Sequence, residues 1–316
     1  MIDLKQRILS ADPKIFGKDF DAKAPTLADA QKALDATLDV NETFKGIGTG
    51  RNVYLCLPQY KATNPLTLFS LLALFDRATT MAKMHWGDAF IAHTRNKLAK
   101  AFLDSPAEWS LWVDDDMVLP IGDATWFKGV TQLALPDEVA GRHTITRLLS
   151  HNKTVVGGLY YGRSPRGKPM FYEGANLPGV AEALRSQRSA GELRETRWVG
   201  TGCLLVHRKV FEDIQAKFPH LAPKSGSSDD FAFFTPHPDR VIFALEEAAK
   251  ATSPESRQAS LEAAVKASNQ YRQTIGEDVT FCARAKYAGH PVYVDTGLIC
   301  GHLGNHAYGP SNTTNA

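Results

Sequence analysis

The chain has 316 residues, 43% of them hydrophobic and 22% charged, with a formal net charge of +2 at pH 7. That length can bury a sizeable core in one large α/β domain or two small ones, and the proportions exclude a disordered or fibrous chain. A balance so close to neutral identifies no partner from bulk charge alone.

Cys56, Cys203, Cys282 and Cys300 are far apart, and each sits in an apolar run. They read as buried, reduced thiols of a cytoplasmic protein rather than a disulfide or zinc framework. The opening "MIDLKQRILSADPK" carries no apolar leader segment. No apolar run reaches the roughly 18 residues needed to span a bilayer, so no membrane partner is expected.

Residues 1–48 read as a helical N-terminal extension, with Leu27, Ala30, Leu34 and Leu38 at helical spacing in "TLADAQKALDATLDV". "GIGTG" then breaks the chain, and "NVYLCLP" predicts a buried strand ended by Pro58. A helix is predicted over 64–81, capped by Asn64 with Pro65 at its first position. A short strand around "HWGDAFIA", a helix over "TRNKLAKAFLDS" and the strand "WSLWVDDD" follow. Strand, helix, strand, helix, strand opens a parallel sheet wound with helices.

Beyond Pro120 the pattern loosens. Helices are expected near 124–135 and 138–151, then a strand-like run at 154–162. "RWVGTGCLLVHRKVFEDI" reads as a strand broken by Gly-Thr-Gly and then a helix. Residues 236–272 look like a helical surface insertion. The chain closes with a helix beginning near Asp278, a turn at Gly289, a strand over 291–295, a Gly/His-rich segment and a flexible tail at 311–316.

The chemistry concentrates where an apolar strand runs into Asp114, Asp115 and Asp116. Adjacent carboxylates repel one another unless a cation sits among them. At the carboxyl edge of a parallel sheet, such a cluster suits Mg²⁺ or Mn²⁺ bridging to nucleotide phosphates. A solvated acidic turn is the plainer alternative. Glu277 and Asp278 open a helix, where they serve as favourable first-turn acids or as a general base. His302 and His306 are four apart, but Gly301, Gly304 and Gly309 argue against a shared helical face. A single histidine completing a carboxylate metal site fits better than a zinc pair. Arg95, near a helix start, could meet a phosphate or lie on the surface. Gly200 and Gly202 interrupt a strand and would let a ligand approach the backbone.

An Arg-Asn helix start about 20 residues before "DDD", then Gly-Thr-Gly, "GED" and a Gly-His-x-Gly segment resemble the GT-A glycosyltransferases, family 2-like, including phage-encoded members. The resemblance covers 52–306 and implies a GT-A domain over 49–310, a Rossmann-like mixed sheet flanked by helices. It implies a metal-dependent, inverting transfer of a sugar from a nucleotide-sugar, such as a UDP-sugar, to an acceptor hydroxyl. Asp114 and Asp116 match the Asp-x-Asp motif, and with His302 they would hold Mn²⁺ or Mg²⁺. Pro58, Gln59, Arg95, Asp115 and Gly202 fall on the donor side. Asp278 matches the catalytic base, with Glu277 beside it. The acid that usually grips the nucleotide base has only Asp88 as a counterpart.

The acceptor is open, and in a phage-encoded chain it would include hydroxymethylated bases of DNA. "YYGRSPRGKPMFY" places Arg163, Arg166 and Lys168 among aromatics, a mixture suited to phosphate contact and base stacking or to a solvated basic loop. Tyr161, Arg163 and Trp198 are accordingly expected to face the acceptor. A nucleotidyltransferase would share the acidic site, but "LCLPQYKATNP" lacks its Gly-rich phosphate loop. A catalytically inactive carbohydrate-binding protein would keep the fold without needing Asp116, Asp278 and His302 together.

Overall fold

The computed structural model describes residues 53–59, 63–86, 90–163, 168–172, 192–223, 230–236, 245, 247–271, 276–304 and 307–308. The expected extension over 1–48, the tail at 311–316, Asp88, Arg166 and His306 lie outside the described residues.

The first strand, β1 (Val53–Gln59), is buried at every position, as its unbroken apolar sequence requires. Asn64 then starts α1 (Pro65–Ala78) as expected, its side-chain Oδ1 accepting from the Leu66 N–H at 2.9 Å. The next two elements depart from expectation. β2 spans Thr79–Trp86, and α2 begins at Ile91 and ends at Asp104, so of "HWGDAFIA" His85 and Trp86 lie in the strand while Ile91 and Ala92 open the helix. The β-branched Thr79 and Thr80 end the helix early and favour the extended state. Arg95 therefore stands a full turn inside α2 rather than at its start.

β3 (Trp109–Val113) completes the winding, lying parallel to β1 as β2 does on the other side. β4 (Met117–Val118) follows the aspartates. Three short helices come next, α3 (Ala124–Thr131), α4 (Asp137–Ala140) and α5 (Thr144–Ser150), where two longer ones were expected. A left-handed Gln132 (φ 55°) and Pro136 make the break between α3 and α4. The chain continues through β5 (Val155–Leu159), β6 (Phe171–Tyr172), β7 (Leu193–Thr196), β8 (Trp198–Val199), β9 (Cys203–His207) and α6 (Arg208–Lys217). It ends in a largely exposed α7 (Pro254–Tyr271), α8 (Glu277–Tyr287), β10 (Val292–Ile299), β11 (Gly301–Leu303) and β12 (Ala307–Tyr308).

The main sheet has seven strands in the order β2-β1-β3-β9-β5-β10-β7. It is mixed: β9 runs antiparallel to both β3 and β5, and β7 antiparallel to β10. Both faces are covered. Tyr54, Cys56, Trp112, Leu204 and Val206 pack with Phe102 of α2, Phe211 of α6 and Phe281 of α8. Val53, Leu55, Leu57, Leu111, Val113 and Leu205 pack with Leu71 of α1 and Leu148 of α5. This period-two division of each strand between two apolar layers is what a sheet flanked by helices demands.

Strands β1, β3, β5 and β10 point the same way, so their carboxyl ends share one edge. A second sheet, β12-β11-β4, sits there, pairing Gly301 with Val118 and His302 with Met117. That pairing carries the C-terminal segment back to the aspartates. Among the described residues, no helix is long and apolar enough to cross a membrane.

Candidate functional site

Every backbone carbonyl of the aspartate run is tied down. Asp114 accepts from the Met117 N–H at 3.2 Å, Asp115 from Asn64 at 2.9 Å and Asp116 from Leu303 at 2.8 Å. The run is thus a fixed turn between β3 and β4, clasped by α1 on one side and β11 on the other. It is not a loose acidic loop.

The charge problem posed by three carboxylates is met largely by arginine. Arg95, 3% exposed, donates from Nη2 to Asp114 Oδ1 at 2.6 Å and from Nη1 to Glu277 Oε1. Burial alone would lower its pKa, but the carboxylates of Asp114 and Glu277 outweigh that and hold it above the ordinary value. Arg163 Nη1 pairs with Asp116 Oδ2 at 2.9 Å. Two expectations change. Asp114, expected as a metal ligand, and Glu277, expected beside the base, are both engaged by Arg95. Removing a buried guanidinium typically costs about 3–5 kcal/mol by stranding its partners. Here the carboxylates are 29% and 24% exposed, so the loss is smaller.

Two other atoms of the expected metal site face each other. Asp116 Oδ1 is buried and has no hydrogen-bond partner. His302 Nε2 faces it at 3.4 Å. His302 Nδ1 lies 2.7 Å from the Tyr161 carbonyl, which can only accept, so Nδ1 carries a proton and Nε2 is the nitrogen turned to Asp116. A histidine fixed by a carbonyl on its other nitrogen is the usual arrangement of a metal-ligating imidazole. Two cis ligands of a small divalent ion stand about 3 Å apart, so the pair fits Mn²⁺ or Mg²⁺ in spacing and donor type. Among the described residues no group of three or more His, Cys, Asp or Glu side chains is arranged to hold a metal. The remaining ligands would have to come from elsewhere, as phosphates do in nucleotide sites.

Asp278 follows Glu277 at the start of α8, with its Oδ1 accepting from the Val279 N–H at 2.7 Å. Burial raises its pKa, and the Glu277 and Asp114 charges add to that against the pull of Arg95. Tyr160 joins the same cluster. Its pKa is raised well above the ordinary value by burial and then by Asp114 and Asp278, and its ring meets His302 edge-on at 5.4 Å. Tyr160 was missed in the sequence, where nothing set it apart from the core aromatics around it.

Tyr160 also accounts for the broken strand. Its hydroxyl accepts from the Gly202 N–H at 3.1 Å. A Cβ at Gly200 would lie 2.0 Å from that hydroxyl, and one at Gly202 would lie 2.8 Å from the ring. Gly202, expected on the donor side, makes room by its small size for a tyrosine that already uses its amide. Gly200→Ala should therefore destabilise the fold by about 1–3 kcal/mol through overpacking. A urea midpoint lowered in Gly200→Ala and partly restored by adding Tyr160→Phe is the expected result, and an unchanged midpoint would refute this account.

Other expected site residues sort as follows. Tyr161 is fully buried in the core, so it cannot face an acceptor; only its carbonyl serves the site, through His302. Arg163, more than half exposed, pairs with Asp116. Trp198 is half-buried, on the small β6-β8 sheet. Pro58 and Gln59 end β1 at the correct edge, and the Gln59 amide is buried with neither polar atom bonded. Thr67, in the first turn of α1, has a buried hydroxyl in the same condition.

No family model matches the chain. No curated protein matches it either. Among solved structures it is similar to the crystal structure of A197 from STIV, with 15% identity, a TM-score of 0.43, and coverage of 83% of this chain and 91% of that one.

Proposed function

We propose that the chain is a metal-dependent, inverting GT-A glycosyltransferase that moves a sugar from a nucleotide-sugar to an acceptor hydroxyl. The observation that supports this reading is the convergence of three groups of side chains at one sheet edge. Asp116 and His302 face each other at 3.4 Å, Asp278 is a carboxylate with a raised pKa, and Gln59 ends β1 at this edge with a buried, unbonded amide.

When bound, Mn²⁺ or Mg²⁺ would supply Lewis-acid stabilisation of the negative charge that develops on the departing diphosphate. Asp116 Oδ1 and His302 Nε2 would hold it, and the Tyr161 carbonyl fixes the His302 tautomer for that task. Arg95 holds Asp114 and Glu277 in place through its two ion pairs. Asp278 takes the acceptor hydroxyl's proton as its oxygen attacks the sugar from the face opposite the leaving group, which inverts the anomeric centre. Within the basic segment at 160–172, Tyr161 is buried and Arg163 rests on Asp116, so these two residues do not themselves support a DNA acceptor.

The reading is tested by incubating the protein with a panel of nucleotide-sugars and measuring nucleoside diphosphate release. Release should require a divalent ion, stop on chelation, and be faster with Mn²⁺ than with Mg²⁺, because an imidazole ligand favours the softer ion. No release from any donor, or release untouched by chelation, would refute it.

A further inference from the structure

The segment Tyr160–Arg163 touches the proposed metal pair three times. The Tyr160 ring packs on His302, the Tyr161 carbonyl accepts from His302 Nδ1, and Arg163 Nη1 lies 2.9 Å from Asp116 Oδ2. The last contact is unlike the others. Arg163 is 56% exposed, whereas Asp116 is 22% exposed and keeps its other oxygen buried and unbonded. A solvent-facing cation thus rests on the carboxylate that would anchor a divalent one.

Resting on the proposed function, we infer that Arg163 is a displaceable counter-cation of the metal site. It neutralises Asp116 in the empty enzyme, gives up that carboxylate as the divalent ion binds, and then pairs with the donor's diphosphate. The electrostatics require a competition. A guanidinium on Oδ2 lowers the negative potential that an incoming ion would feel at Oδ1, so the ion binds weakly until something else attracts the guanidinium. A diphosphate does so in two ways at once, supplying oxygens to the ion and a planar, bidentate partner for arginine. Metal and donor would then bind with positive coupling, each removing an obstacle to the other. This replaces the acceptor role that the sequence suggested for Arg163. It also gives a reason for an arginine rather than a lysine here, since the planar fork that touches Asp116 through one nitrogen can engage a phosphate with two.

The test uses the full chain and binding alone. Mn²⁺ affinity is measured by the electron paramagnetic resonance signal of the free ion, with and without nucleoside diphosphate, for the parent, Arg163→Gln and Arg163→Lys. Exposed ion pairs of this kind are weak, so Arg163→Gln should tighten Mn²⁺ binding without nucleotide by about three- to fivefold. It should also weaken nucleoside diphosphate binding at saturating Mn²⁺ by roughly tenfold, the scale of a lost charge-assisted contact. Arg163→Lys should fall between the two. Mn²⁺ affinity unchanged or reduced in Arg163→Gln, in a parent that does bind Mn²⁺, overturns the counter-cation role and leaves the proposed function standing. A parent that binds no Mn²⁺ even with nucleoside diphosphate overturns both.

Discussion

Asp116→Ala should remove divalent-dependent donor binding while leaving the fold intact. Asp116 is 22% exposed and its side chain supports no element, since the Leu303 contact runs to its backbone carbonyl and survives the substitution. What goes is the one buried, unbonded carboxylate oxygen facing His302. A lone imidazole is a poor anchor for Mn²⁺ and a worse one for Mg²⁺. Nucleoside diphosphate affinity measured by calorimetry with Mn²⁺ should fall to its metal-free value, with turnover reduced by about 10² or more, since several kcal/mol of leaving-group stabilisation depends on the ion. Asp114→Ala is the informative comparison. It leaves the buried guanidinium of Arg95 with only Glu277, so its loss should appear first in thermal stability and only secondarily in metal affinity. A variant lacking Asp116 that still binds donor as tightly as the parent would remove the metal assignment.

The expectations that held rest on short-range rules. β1, β3, β5 and β9 are apolar runs of strand length, and the starts of α1 and α8 follow from Asn64-Pro65 and from acids placed at a positive helix end. The edge of the sheet that carries Asp114 and Asp116 was legible for the same reason, because two strand-helix units before them leave little choice of direction. The antiparallel placement of β9 was not legible. Its sequence is as apolar as those of β3 and β5, which flank it, and orientation is set by what connects strands rather than by their faces.

Within the site, residue type proved a better guide than residue role. Arg95, Asp116, Asp278 and His302 do converge, yet the sequence assigned the neutralising cation to a metal where arginine does most of that work. The ion pairs join residues up to 182 positions apart, and no local pattern announces such a partner. Gly200 and Gly202 show the same limit. Glycines in a strand imply something close by, but only the packed structure shows Tyr160 there and not a ligand.

Asp278→Asn should separate catalysis from both binding and stability. The carboxyl lies at a helix start, where the dipole and the Val279 N–H favour the charged form. Burial and the neighbouring Glu277 oppose this and win, since its pKa is raised. A base with a raised pKa is a stronger proton acceptor once ionised. In the parent, kcat/KM should therefore climb with pH through a range above that of an ordinary aspartate, and in Asp278→Asn that limb should be lost while turnover drops by about 10² or more. Stability should move the other way. The folded chain holds this proton more tightly than the unfolded chain does. Its stabilising contribution is full below the ordinary carboxylate range and is lost as pH rises through the raised folded value. At neutral pH the parent thus carries a strained charge that asparagine would relieve, so the variant should melt at the same temperature or higher. Donor affinity with Mn²⁺ should stay near the parent's, because Asp116 and His302 are untouched. A variant with parental turnover, or one that loses stability at neutral pH, would show Asp278 to be an ordinary first-turn acid and would move the search for the base elsewhere along this edge.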